Sequence, residues 1–225
     1  MTRAVSFPPR RTGVAPRLLL LPGALGSSAD FAAADFGEAV RARGLALDLV
    51  FVDPEFQHVT DRSMLERLRA GPVREALATG CESLWLAGVS LGGFLALAFA
   101  ERFRSEIDGV CLIAPYLGTR IMTGEIARAG GAAGWEPGVI ADDDEERRVW
   151  RFLRPGVERG VELWLGYGRG DRFANSQELL ARVLPADSVA CIDGAHDWPT
   201  WQKLWGAFLD HWPTRDRQAT VGATT

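Results

Sequence analysis

The chain has 225 residues, of which 47% are hydrophobic and 24% charged. That is enough for one domain with an insertion, and it excludes disorder, collagen-like repeats and coiled coil as whole-chain descriptions. A net charge of -4 leaves no broad basic field for nucleic acid or anionic lipid, and three widely spaced cysteines (Cys81, Cys111, Cys191) fit neither a disulfide framework nor a zinc spacing, so no metal or other cofactor is expected.

Residues 1–16 read as an N-terminal arm. Its arginines, followed by Leu18–Leu21, have the outline of a secretory leader. The other reading makes Arg17–Leu21 a buried strand entering a glycine turn; the later motifs need that strand, and it goes with a cytoplasmic protein. Further apolar runs lie at Leu45–Val52, Ser83–Val89, Gly109–Ala114, Val161–Gly166 and Ser188–Ile192. Segments of helical period separate them, at Phe31–Arg43, Ser63–Thr79, Leu91–Phe103, Ser176–Val183 and Trp198–His211. This alternation predicts an α/β fold with an open, mostly parallel, doubly wound sheet. The uncharged stretch Leu84–Ala100 is broken by Gly88, Gly92 and Gly93, so strand–turn–helix describes it better than a membrane span. Residues 117–160 contain no clear strand and read as a small helical cap, inserted between core segments 17–116 and 161–212. The acidic run Asp142–Glu146 reads as the first turn of a cap helix. Residues 213–225 are polar and read as a flexible tail.

Ligands of such sheets bind outside the carboxyl ends of the strands, and the chemistry-bearing residues cluster there. Gly88-Val-Ser90-Leu-Gly92 closes an apolar strand and opens a helix of small and apolar residues. This is the setting in which a strained turn lifts a serine hydroxyl out of a sheet. The serine needs a base, and of three histidines His196 follows the last strand. His58 follows the second strand and reads as a pocket residue; His211 falls near the end of the last helix. Asp171, just after the fifth strand, is the expected partner of His196, with Asp193 and Asp197 as rivals. Oxyanion donors are expected from the backbone of Leu91 and of the turn after the first strand, with Ala24 ahead of Leu25.

The order Ser90, Asp171, His196, together with Leu-Leu-Leu-Leu-Pro-Gly-Ala-Leu-Gly, Gly-Val-Ser-Leu-Gly-Gly-Phe, Gly-Tyr-Gly-Arg-Gly-Asp-Arg-Phe and Gly-Ala-His-Asp-Trp, resembles the α/β-hydrolase superfamily from Arg17 to His211. The last motif is also similar to the ending of esterase D-like carboxylesterases. The resemblance implies a serine hydrolase. Two departures stand out: Pro22-Gly23 replaces the frequent His-Gly, and no counterpart is evident for the antiparallel strands that often precede the first parallel one. Leu25, His58, Tyr116, Leu117, Trp135 and Trp198 are the expected pocket residues, favouring an apolar or aromatic acyl group. For Trp198, core packing with Trp201 and Trp205 is the competing reading. The expected partner is a small-molecule ester or thioester, with no nucleic acid and no membrane; the sequence does not encode oligomeric state. Acyl transfer, lyase chemistry, or ligand binding without catalysis are the alternatives on the same scaffold.

Overall fold

The computed structural model describes residues 6–7, 15–53 and 63–222. Its strands are β1 (Ser6–Phe7), β2 (Arg17–Leu21), β3 (Asp48–Phe51), β4 (Leu84–Val89), β5 (Gly109–Ile113), β6 (Glu162–Gly168) and β7 (Val189–Ile192). They form one sheet in the order β1-β3-β2-β4-β5-β6-β7, parallel throughout except for β1. Every run read as a strand supplies one. The unexpected strand is β1, which pairs antiparallel with β3 through Ser6 with Val50 and Phe7 with Leu49. Two residues are too few to leave an alternating pattern, which is why the arm gave no sign of it.

The helices are α1 (Ser28–Ala33), α2 (Phe36–Ala42), α3 (Ser63–Leu68), α4 (Arg74–Ala78), α5 (Leu91–Phe103), α6 (Arg120–Arg128), α7 (Glu145–Leu153), α8 (Ala174–Ala181) and α9 (Trp198–Gly222). Side-chain alternation sends the two faces of each strand into different cores. Leu19, Leu21, Leu86, Val110 and Leu165 pack with α3, α5, α7 and α8. Leu18, Leu20, Trp85, Cys111 and Trp164 pack with α1, α2 and α9. Both faces are therefore covered, as a parallel sheet requires.

Three segments differ from expectation. The helix read at Phe31–Arg43 is divided, because Asp35 takes a left-handed conformation with φ of 57°. The helix read at Ser63–Thr79 contains a π-turn at Arg69–Val73 around Pro72, whose missing N–H loosens the regular ladder. The helix after the last strand runs past His211 to Gly222, so residues 213–222 of the expected tail are helical; once a helix is nucleated, each further residue adds a hydrogen bond at low cost.

The insertion also differs from a lid. Asp144 caps α7 by accepting from the Arg147 N–H at 3.0 Å, so the acidic run does open a helix. However, Val149, Trp150, Phe152 and Leu153 are buried in the same core as α5. The Trp150 indole N–H donates to the Leu117 carbonyl at 2.8 Å, and Arg148 pairs with Glu101 of α5 at 2.8 Å. Helix α7 thus covers the sheet as the crossover between β5 and β6. Only α6 stands near the carboxyl ends of the strands, packed beside α8 and bracketed by Gly118 and Gly131, both at φ of 112°.

Candidate active site

Strand β4 ends at Val89 and α5 begins at Leu91, leaving Ser90 alone at the junction with φ of 53° and ψ of -116°. A non-glycine residue there stores strain, about 1–3 kcal/mol for such conformations. The surroundings hold it in place. The Ser90 N–H donates to the Ile113 carbonyl at 3.0 Å, and the Ser90 carbonyl accepts from Tyr116 N–H at 3.0 Å and Gly93 N–H at 3.0 Å. The turn closes only because its flanks lack side chains: a Cβ on Gly88 would strike the backbone of Gly92 and Gly93, and one on Gly92 would sit 2.6 Å from the Pro22 carbonyl oxygen. The serine consequently stands in front of the positive end of α5.

His196 arrives from the loop after β7. Its Nε2 lies 3.0 Å from Ser90 Oγ, and its Nδ1 lies 2.7 Å from Asp171 Oδ2. The other Asp171 oxygen, Oδ1, accepts from the Phe173 N–H at 2.7 Å. The Asp171 side chain is fully buried and that of His196 is 9% exposed, so this pair works in a nearly dry environment. The rival carboxylates are engaged elsewhere. Asp197 accepts from the Thr200 N–H at 3.0 Å, and hydrogen bonding to Thr200, through its side chain first and its backbone second, holds the carboxyl below the usual range; exposed Asp193 pairs with Arg169 at 2.8 Å. Of the other histidines, His211 lies on α9, about 20 Å along the helix from Trp198 at 1.5 Å per residue, and His58 lies outside the described residues.

The turn after β2 abuts the serine. Gly26 N–H closes on the Gly23 carbonyl at 3.0 Å across Ala24 and Leu25, with Leu25 at φ of 62°. A Cβ on Gly23 would approach Ser90 Cβ to 3.3 Å, so this turn forms one wall of the site. The Leu91 N–H, at the first position of α5, has no intrahelical acceptor. An isolated Ser, His, Asp relay with free backbone donors beside it is equipped for acyl transfer.

Two rings that the sequence reading missed hold the imidazole. Phe173 and Trp201 each meet His196 edge-on, with ring centroids 5.1 Å away. Thr200, buried at the start of α9, anchors the histidine loop by accepting from the Ala195 N–H at 3.0 Å. A glycine at 194 is needed because a Cβ there would collide with Thr200. The signal for this arrangement lies in Asp197-Trp-Pro-Thr, an N-cap pattern immediately before the body of α9.

A profile of the alpha/beta hydrolase fold matches residues 16–146, more than half of the chain. The chain belongs to the α/β-hydrolase family. No curated protein matches this α/β-hydrolase in sequence. Among solved structures it is similar to FphF, a fluorophosphonate-binding serine hydrolase of Staphylococcus aureus, with a TM-score of 0.66 and 11% identity over 93% of this chain and 97% of that one. Est1E of Butyrivibrio proteoclasticus gives 0.64 and 16% identity over 94% and 93%. The S-formylglutathione hydrolase FrmB of S. aureus gives 0.59 and 12% identity over 88% and 82%. At these identities the likeness is one of fold.

The expected pocket residues of this α/β-hydrolase are scattered. Leu25 is fully exposed at the tip of the β2 turn. Trp198 is half-buried and packs on Phe31 and Phe36, with centroids at 5.8 and 6.1 Å. Leu117 and Trp135 require correction: both are buried in the core, and the Trp135 indole donates to Glu125 at 2.8 Å. Their apolar surface is spent on packing the insertion, which removes them from what a ligand reaches. Tyr116 does border an opening, with Phe173 5.6 Å away on the other side. Its hydroxyl donates to Glu146 at 3.0 Å, and burial, reinforced by that carboxylate, raises its pKa well above the ordinary tyrosine value. Among the described residues no cluster of His, Cys, Asp and Glu could hold a metal, and no helix is long and apolar enough to cross a membrane.

Proposed function

We propose that this chain is a serine hydrolase that cleaves a small carboxylic ester or thioester through an acyl-enzyme on Ser90. The observation that carries the reading is the continuous relay from Ser90 Oγ through His196 to buried Asp171, at 3.0 and 2.7 Å. His196 Nε2 takes the hydroxyl proton as Oγ attacks the carbonyl carbon, and Asp171 holds the imidazole with its proton on Nδ1 and stabilises the imidazolium without itself being protonated. The N–H groups of Leu91 and Ala24 stabilise the oxyanion. The imidazolium gives its proton to the leaving alcohol or thiol, leaving an ester on Ser90. Water, deprotonated by His196, then attacks that ester, releasing the acid and restoring the serine. The fold's likeness to a fluorophosphonate-binding serine hydrolase and to an S-formylglutathione hydrolase supports the class. A cytoplasmic location belongs to the same reading, supported by Leu18–Leu21 forming an interior strand of the sheet.

The test is labelling with a fluorophosphonate probe alongside turnover of p-nitrophenyl esters of graded acyl length. Both activities are expected in the native chain and both should vanish in Ser90→Ala at unchanged melting temperature. Labelling that persists in that variant would refute Ser90 as the nucleophile.

A further inference from the structure

The opening bordered by Tyr116 and Phe173 continues as a groove of about 730 Å³ between α6 and α8. It shares a wall with the relay: Phe173 lies edge-on against His196, and the Tyr116 backbone N–H is bonded to the Ser90 carbonyl. Its lining contrasts with the rest of the molecule. The whole chain carries -4, yet the groove is lined by Arg120, Arg172 and Arg182 against Glu178 alone. Glu178 is spoken for, since it pairs with Arg182 at 2.8 Å. The other nearby carboxylate, Glu146, accepts from the Tyr116 hydroxyl, the Thr119 N–H and the Thr119 hydroxyl at 3.0, 2.9 and 2.8 Å. Among the described residues Arg120 and Arg172 have no carboxylate partner. Arg172 is instead laid over the Phe173 ring, 4.9 Å from its centroid, and both residues line the groove.

Two guanidinium groups without a carboxylate partner, lining a polar groove whose Tyr116 and Phe173 wall adjoins the Ser90 relay, suit an anion attached to an ester. We infer that the substrate carries a carboxylate, held by Arg172 and Arg120 while its ester carbonyl lies at Ser90. Arginine suits this role because its planar fork takes both oxygens of a carboxylate. The inference replaces the expectation of an apolar acyl group, and it rests on the hydrolase reading for the chemistry at Ser90 but not for the anion site itself.

Two experiments separate these. The first compares kcat/KM for matched ester pairs at low ionic strength: p-nitrophenyl hemiglutarate against p-nitrophenyl valerate, where the charge is on the acyl side, and 4-butanoyloxybenzoate against phenyl butanoate, where it is on the alcohol. One charged member is expected to exceed its neutral partner by about 10-fold or more, the equivalent of one charge-assisted hydrogen bond. In Arg120→Gln/Arg172→Gln that ratio should fall to about 1, and added salt should lower it in the native chain. The arm that shows the preference identifies the side bearing the charge. The second titrates glutarate against Ser90→Ala by calorimetry, with and without the two arginine substitutions. Ester turnover with no charge preference in either pair overturns the anion site and leaves the hydrolase standing. No turnover and no labelling, with glutarate binding lost in the arginine variant, overturns the hydrolase and leaves the anion site standing. Absence of glutarate binding to Ser90→Ala counts against the site whatever the kinetics.

Discussion

Asp171→Asn tests the relay without disturbing its shape. In the native chain Asp171 Oδ1 accepts from the Phe173 N–H and Oδ2 faces His196 Nδ1, each at 2.7 Å. The backbone N–H can only donate, so in the variant the amide oxygen must stay with Phe173. The amide NH2 then takes the place of Oδ2 and presents hydrogens to Nδ1. A neutral imidazole can meet a donor there only by moving its proton to Nε2, and a protonated Nε2, 3.0 Å from Ser90 Oγ, cannot accept the serine proton. Every hydrogen bond of the folded state survives, so the melting temperature should move by no more than about 4 °C, the response of a chain this size to about 1 kcal/mol. The loss in kcat should be about 10⁴-fold by precedent for this substitution in other triads, or roughly 5.4 kcal/mol at 1.36 kcal/mol per decade. Stopped assays with the best p-nitrophenyl ester and a parallel thermal melt measure both. A kcat within about 100-fold of native, or a loss that merely follows unfolding, would refute the tautomer argument.

Gly92→Ala should lower the melting temperature by several degrees and abolish fluorophosphonate labelling, because its Cβ would overlap the carbonyls of Leu21 and Pro22; overpacking of this kind costs about 1–3 kcal/mol, and a native-like urea midpoint with intact labelling would contradict it. Trp150→Phe strands the buried Leu117 carbonyl and leaves a gap beneath α7, so the urea midpoint should fall by the equivalent of about 2–3 kcal/mol with an unchanged slope, whereas an unchanged midpoint would show that α7 adds little to the body. The chain has two tyrosines, and burial raises both, Tyr167 to about 12 and Tyr116 further. A raised folded value means that stability is intact below pH ~10, where the unfolded phenol titrates, and is lost as pH climbs through the folded values. Absorbance at 295 nm should therefore show no phenolate in the folded chain near pH 10, and a titration centred there before unfolding would contradict the burial of both rings.

Features that depend on a few neighbouring residues were legible from the sequence. Gly88 and Gly92 are demanded by a turn five residues long, and the strands by alternation within themselves. The choice of Asp171 over Asp193 and Asp197 was also legible, since an acid adjacent to His196 in sequence cannot face the same ring easily; the structure adds what the rivals do instead. What was not legible depends on partners far along the chain. Nothing near Trp150 in the chain shows that Leu117, 33 positions earlier, accepts its indole N–H. Leu117 and Trp135 differ from expectation for the same reason: an apolar residue just after a strand or within an insertion looks alike in sequence whether it faces a cleft or a core. The groove's cationic lining is not legible because Arg120 and Arg172 lie 52 positions apart and come to one groove only through the packing of α6 beside α8.

Helix α6 has a further consequence for how this chain can change. Gly118 and Gly131 enclose it as two left-handed swivels, and only Met122 and Ile126 anchor it in the core. Strand pairing, the serine turn and the histidine loop contain no residue between those glycines. Residues 119–130 are thus an exchangeable cassette: replacements that keep the two apolar anchors, the Glu125 contact to the Trp135 indole, the Thr119 contact to Glu146 and the flanking glycines can redraw the outer wall of the groove and leave the folding core untouched. Selectivity in this chain can drift or be engineered through twelve residues without renegotiating the fold.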